Sequence, residues 1–453
     1  MAGQPHRTVG EEVKPGKVPD APIDLYLPQN GNRGYRVSRY ELDLGYRLNS
    51  NRLTGKATIT AVTTEERPRF ALDLAQNLQV GKVTVNGSRN VKWSHQGGKL
   101  VLTPGNRIHS GGALVASVQY SGNPQPIRGQ WGDVGWEELT EGALVASQPN
   151  GAASWFPCDD HPSSKASYRI SITTDSPYYA LANGTLLRKQ TRASQTTWVY
   201  EQTEPMPSYL ATVQIGPYQH RSVGTGSVPI FAVHPPRLRS AFDADFADQS
   251  AMMELFVDLF GPFPFQSYTV VVTDDELEIP IEAQGLSIFG ANHCTGRNPA
   301  ERLVAHELAH QWFGNSLTAS QWRDIWLHEG FACYSEWLWS QHSGGPSAEQ
   351  LAVQAHQGLA RKPQDIVVGD PGPDLMFDDR IYKRGALTLH AVRGRLGDGK
   401  FFALLRAWTT DHRHGSVTSE QFTDLAGRYS DESLRPLWDA WLGEKTLPPL
   451  HPH

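Results

Sequence analysis

From about Gly34 to His234, apolar and polar positions alternate with a period of two. Tyr40, Leu42, Leu44, Tyr46 and Leu48 alternate with polar partners; Ala57, Ile59 and Ala61 repeat the pattern, as do Tyr168, Ile170 and Ile172 and then Ala211, Val213 and Ile215. Such alternation turns one row of side chains to a core and the other to water, the signature of half-buried antiparallel strands. Turn residues separate the runs: Asn51, Gly55, Asn86-Gly87, Gly97-Gly98, Pro104-Gly105, Asn183-Gly184 and Gly224. The pattern predicts a β-rich domain, sandwich-like or saddle-like, over residues 34–234.

The periodicity changes at His234-Pro235-Pro236. From Phe242 through Phe246, Met253 and Phe256 to Phe260 the apolar positions follow a helix, which Gly261-Pro262 should stop. Short strands are predicted at Tyr268 to Val272 and from Gly285 to Phe289. Beyond Pro299 the pattern is helical almost throughout: 299–315, 325–342, 347–361, 381–396, 399–411, 418–428 and 433–442. Strands followed by helices indicate an α+β multidomain chain, with the second domain at 235–453. The first 33 residues are polar, carry Pro and Gly and have no apolar core segment. They read as a flexible arm and not as a signal peptide. No apolar run reaches the roughly 18 residues of a membrane-spanning helix, so a cytoplasmic location is the expectation.

At 453 residues the chain can bury a core without covalent help. Its three cysteines (Cys158, Cys294 and Cys333) are far apart and odd in number, which fits neither a disulfide framework nor a cysteine-based zinc site. A net charge of −6 argues against nucleic acid or an anionic membrane as partner. The 17 histidines matter because of where two of them fall.

His306-Glu307-Leu308-Ala309-His310 places two imidazoles four residues apart, on one face of a helix. Two such nitrogens can reach one tetrahedral Zn²⁺ at about 2.0–2.1 Å, with Glu307 beside the open coordination position. Two core histidines with satisfied hydrogen bonds would be the plain alternative. Catalytic zinc takes a third protein ligand. Glu329, 19 residues after His310 and flanked by Trp326, Leu327 and Phe331, is the candidate. Glu336, seven residues further, shares its helical face; it is either a partner orienting a ligand histidine or an ordinary surface glutamate.

HELAHQWFGN followed by W-x-x-x-WLHEGFA-x-x-x-E resembles the aminopeptidase N and leukotriene-hydrolase family of zinc aminopeptidases (gluzincins), from about Tyr35 onward. The resemblance implies that the second domain is a thermolysin-like zinc peptidase with one Zn²⁺ per chain held by His306, His310 and Glu329, and with Glu307 as general base. Ile281-Glu282-Ala283-Gln284 sits where the family carries G-A-M-E-N, so Glu282 would bind the substrate's free α-amino group. Ser147-Gln148-Pro149 before Trp155-Phe-Pro-Cys-Asp-Asp160 implies a second amino-group contact at Gln148. Tyr382-Lys-Arg-Gly-Ala386 resembles Y-x-K-G-A, which makes Tyr382 the hydroxyl that steadies the tetrahedral intermediate. The expected partners are peptides with a free N-terminus, and the sequence does not choose between monomer and homodimer.

Three positions depart from the family: Pro280 stands for Gly or Ala and lacks an N–H, Ala283 stands for Asn, and His328 stands for the Asn before the ligand glutamate. About 70 residues follow Tyr382, which the resemblance reads as a short form without the large C-terminal helical domain. Two other readings use the same motif: a thermolysin-like endopeptidase, which would not need Glu282, and a non-catalytic peptide-binding module that keeps the fold.

Overall fold

The computed structural model describes residues 23–224 and 226–451. The first half is built on a seven-stranded sheet. Its strands, in spatial order, are Thr185–Arg192, Gln195–Pro207, Lys165–Asp175, Tyr35–Arg47, Arg52–Thr63, Ala113–Gly122 and Leu78–Val85. All neighbours are antiparallel except Tyr35–Arg47 against Lys165–Asp175, which run parallel. Alternation decides which face is inside. Tyr40, Leu42, Leu44 and Tyr46 are buried and the residues between them are not. Tyr35 and Val37 are also buried but out of phase with these, because the register shifts between Val37 and Arg39. A bulge of this kind lets one strand turn both sets of side chains to the same core.

A second sheet of five strands (Ile127–Gly129, Gly132–Leu139, Gly142–Ala146, Val213–Gly216, Tyr179–Ala182) carries the chain toward Gln148, two residues beyond Ala146. Another sheet, also of five strands, comprises Gln219–Ser222, Ile230–His234, Tyr268–Val272, Leu286–Phe289 and, at its edge, Ile281–Ala283. The strand that ends at His234 pairs in parallel with Tyr268–Val272. We therefore propose the domain division near residue 217, ahead of that sheet, in place of the change of periodicity at 234.

Eight α-helices lie among the described residues: α1 (Arg239–Asp245), α2 (Gln249–Phe260), α3 (Glu301–Ala309), α4 (Trp326–His342), α5 (Ala348–Leu359), α6 (Asp379–Asp411), α7 (Ser419–Gly427) and α8 (Arg435–Trp438). The two segments expected at 381–396 and 399–411 run on as α6, broken at Gly397, whose φ of 72° only glycine adopts readily. Helix α3 ends earlier than its apolar pattern suggested. Beyond His310 the side chains of Gln311 and Asn315 donate to the backbone of Ala283 and Leu286, which holds the chain in a turn against the edge strand.

Residues 23–33 do not behave as a loose arm. Asp24 is buried and accepts from the backbone N–H of Trp322 at 2.7 Å, while the Tyr26 hydroxyl accepts from Gly372 N–H at 2.8 Å. The rest of the expected arm, 1–22, lies outside the described residues. None of the described helices is long and apolar enough to cross a membrane.

Helices α4 and α6 cross at Gly330 and Gly385. A Cβ on Gly330 would stand 2.8 Å from the Gly385 Cα, inside van der Waals contact. Gly330→Ala gains about 1 kcal/mol of helix propensity but forces apart two backbones in a packed layer, at a typical cost of about 1–3 kcal/mol. The expected result is net destabilisation, read as a lower denaturant midpoint; a raised midpoint would refute the close-contact account.

Candidate active site

Helix α3 presents His306 and His310 on one face, and α4 brings Glu329 against them. The Glu329 Oε2 lies 3.3 Å from His306 Nε2 and 3.4 Å from His310 Nε2. One ligand atom from each of the three residues falls within 4.8 Å of the others, and all three side chains are buried. Each imidazole is anchored through its other nitrogen: His306 Nδ1–H donates to Glu336 Oε1 at 2.7 Å, and His310 Nδ1–H donates to the Phe313 carbonyl at 3.0 Å. That fixes both tautomers with Nε2 free to face a cation.

The electrostatics agree with a cation site. Burial alone would lower both histidines. Hydrogen bonds that its ring donates to Glu329 and Glu336 outweigh it at His306, raising it to about 9. At His310 the charges of Glu282 and Glu329 outweigh it, raising it to about 10. Burial acts to raise Glu329, yet His310 and His306 hold it far below the usual carboxylate range. Glu307 is buried, and its Oε2 has no hydrogen-bond partner. An unpaired carboxylate oxygen in a buried site costs free energy unless something polar is meant to meet it. Two nitrogens and one carboxylate in this spacing form the donor set that zinc prefers, so the residues fit that ion.

Glu282 sits on the edge strand Ile281–Ala283, opposite Ser287. It is buried and accepts from Gln148 Nε2 at 2.7 Å, a contact that joins the two halves of the chain. Glu282, Glu307 and His310 also form a group within 4.8 Å. Burial raises the Glu282 carboxyl, and the His310 charge opposes that rise. The Tyr382 ring stacks on His306, with centroids 6.1 Å apart and planes at 19°. Burial lifts its hydroxyl well above 10, so it is a proton donor at neutral pH.

His328 lies apart from the donor set. Its Nε2 accepts from Ala319 N–H at 2.7 Å, and burial lowers it to about 3. The three cysteines are buried and unpaired.

Several residues shape the site without having been picked out from the sequence. Gln311 and Asn315 tie α3 to the edge strand and so set the distance from His310 to Glu282. Arg302 Nη1 donates to both oxygens of Glu336 at 2.9 Å. The only sequence signal for the amides was their position inside the HELAHQWFGN string.

A β-rich domain leading into an α+β layer, with His-Glu-x-x-His on one helix and a glutamate on the next, defines a thermolysin-like zinc peptidase of the gluzincin class. The chain belongs to peptidase family M1: the Peptidase M1 N-terminal domain matches residues 37–210 and the Peptidase family M1 domain matches 245–441. Aminopeptidase M1 of Arabidopsis thaliana is 26% identical over 331 residues, covering 68% of this chain and 37% of the plant protein. Aminopeptidase N of Lactococcus lactis is 26% identical over 321 residues, covering 65% and 38%. This chain thus spans about two fifths of the length of the curated relatives it matches. Among solved structures, an M1 zinc metallopeptidase from Deinococcus radiodurans superimposes with a TM-score of 0.87 at 28% identity, covering 95% of this chain and 99% of that one. A mutant of it bound to a Tyr-Ser-Ala substrate superimposes with a TM-score of 0.86.

Proposed function

We propose that this chain is a zinc aminopeptidase that removes the N-terminal residue of peptides, with one Zn²⁺ per chain held by His306, His310 and Glu329. When bound, the metal supplies Lewis-acid chemistry: it polarises a carbonyl and makes water a nucleophile at neutral pH. The rest falls to the protein. Glu307, with an unpaired oxygen beside the donor set, takes the proton of the attacking water and returns it to the departing amine. Tyr382 offers a protonated hydroxyl to the oxyanion that develops at the carbonyl. Glu336, clamped by Arg302, keeps the His306 ring in its ligand tautomer.

The observation that carries the aminopeptidase reading is the buried Glu282–Gln148 pair next to Glu307 and His310. A recessed carboxylate pairs well with a substrate ammonium. A mid-chain amide at the same place would leave that charge without a partner, so the site selects the first peptide bond. An endopeptidase has no use for such a group. The Tyr-Ser-Ala substrate of the Deinococcus relative, a short peptide, is in keeping with this reading.

The test pairs zinc analysis with aminoacyl coumarins and their N-acetyl twins. Zinc with cleavage of the free amines alone supports the proposal; cleavage of both forms moves it to an endopeptidase. Glu282→Ala should cut kcat/KM for free amines by about 10²-fold or more, since a buried ammonium–carboxylate pair broken on one side costs about 3–5 kcal/mol. Equal losses on free and blocked substrates would remove Glu282 from the amine site.

A further inference from the structure

The segment at 23–33 helps to line a cavity of about 490 Å³ in the N-terminal half of the chain. Stretches far apart in sequence complete its wall, at 67–71, 99–101 and 161. None of the residues of the candidate active site lines it. The wall carries Arg33, Arg67, Arg69, Lys99 and His161 and, among the described residues, no carboxylate. The chain as a whole has a net charge of −6. A concave place lined by one sign of charge focuses its field and draws in counter-ions.

The carboxylates in contact with this wall are already engaged. Asp73 takes Lys99 Nζ, the Gly31 N–H at 3.1 Å and Asn32 Nδ2 at 2.7 Å. Asp159 takes the Asn32 N–H at 2.7 Å, and burial pushes its carboxyl up to about 7, so it carries only part of a negative charge at neutral pH. Glu65 takes Nε and Nη2 of Arg67 and leaves Nη1. Arg33 and Arg69 are exposed, and among the described residues neither has a hydrogen bond or an ion pair. One such arginine would be an ordinary solvated side chain. Two without counter-charges, with a third nitrogen beside them on the same concave wall, leave an incoming anion several donors and no competitor.

We propose that this cavity binds a phosphate or diphosphate group through Arg33, Arg69 and the remaining nitrogen of Arg67. A carboxylate has one charge and two oxygens, which a single guanidinium fork already matches. A phosphate group carries up to two charges and more oxygens, which suits several forks at once. A cavity of about 490 Å³ also has room for an organic body that carries the group. Arg33 lies on the segment at 23–33, whereas Arg67 and Arg69 lie just ahead of the strand Phe70–Asp73, so an anion held by all three bridges the two. The other end of the segment is fixed to the catalytic half, by Asp24 on the Trp322 N–H and by Tyr26 on the Gly372 N–H. Occupancy therefore fastens the segment at both ends. This inference is independent of the aminopeptidase reading above.

The experiment titrates the zinc-loaded full chain by calorimetry with inorganic pyrophosphate, with adenosine diphosphate and with glutarate. Zinc content is checked before and after, because phosphates also bind free zinc. One pyrophosphate or nucleotide should bind per chain. Arg33→Glu and Arg69→Glu should each weaken it by about tenfold or more, and the pair should abolish it. The affinity should fall as salt rises. The bound anion should slow hydrogen exchange at 23–33 and raise the unfolding temperature of the parent but not of the double variant. Both arginines are exposed and lie outside the metal site, so the double variant should unfold like the anion-free parent and cleave aminoacyl coumarins as well as the parent does; Arg33→Gln with Arg69→Gln repeats the test without charge reversal. Tighter binding of the nucleotide points to an organic phosphate, and equal or tighter binding of pyrophosphate to the free anion. No binding of either, binding that the double variants retain, or glutarate binding as tightly as pyrophosphate overturns the inference.

Discussion

Glu307→Gln is expected to retain zinc and to lose about 10⁴-fold in kcat/KM, the upper end of what one positioned proton-transfer group contributes. Both transfers of the proposed reaction pass through this carboxylate, first from water and then to the leaving amine, and glutamine serves neither. The three donor residues are untouched by the change, so metal analysis should match the parent. The pH dependence gives a second readout. Burial pushes Glu307 up to about 7, and it works as the carboxylate. Activity should fall as the pH drops through its pKa, with a cation on the neighbouring donors moving that limb lower. The residual activity of the glutamine variant should lack this limb. Near-parental turnover with zinc in place would end the general-base assignment.

Tyr382→Phe is expected to lower kcat by 10²–10³, or about 2.7–4 kcal/mol, with little change in KM. The ring packs on His306, and phenylalanine keeps that contact, so the loss isolates the hydroxyl. Because that oxygen is needed only once charge develops on the carbonyl, the effect belongs in kcat. A raised KM at constant kcat would instead make Tyr382 a ground-state binding residue.

What the sequence disclosed follows the range of the interactions. His306 and His310 share a helical turn, so their spacing alone pointed to one ion. Glu329 followed once a second helix was placed beside the first. The Gln148–Glu282 contact spans 134 residues, and no local pattern encodes it; the resemblance to a family was needed to suggest both residues. Arg302 escaped notice because it looks like an ordinary helix-surface cation until α4 brings Glu336 against it. The segment at 23–33 read as an arm for a similar reason. Its polar side chains find partners far along the chain, from Asn32 with Asp73 to Asp24, which takes the N–H of Trp322. The strand at Tyr35–Arg47 was legible from Tyr40 onward and not before, because the bulge flips the phase of the alternation.

The contact of Gly330 with Gly385 has a consequence for how such a molecule can diversify. The residue before one glycine is the carboxylate Glu329, and three residues before the other is Tyr382. With no side chain between the helices to compress or rotate, these two groups move as parts of one joint. Inherited change at that joint alters their separation directly, whereas change in loops away from α4 and α6 leaves it alone. The architecture thereby divides the chain into a portion where variation is expensive and a portion where it is cheap. Variation in the second leaves the geometry of the first in place.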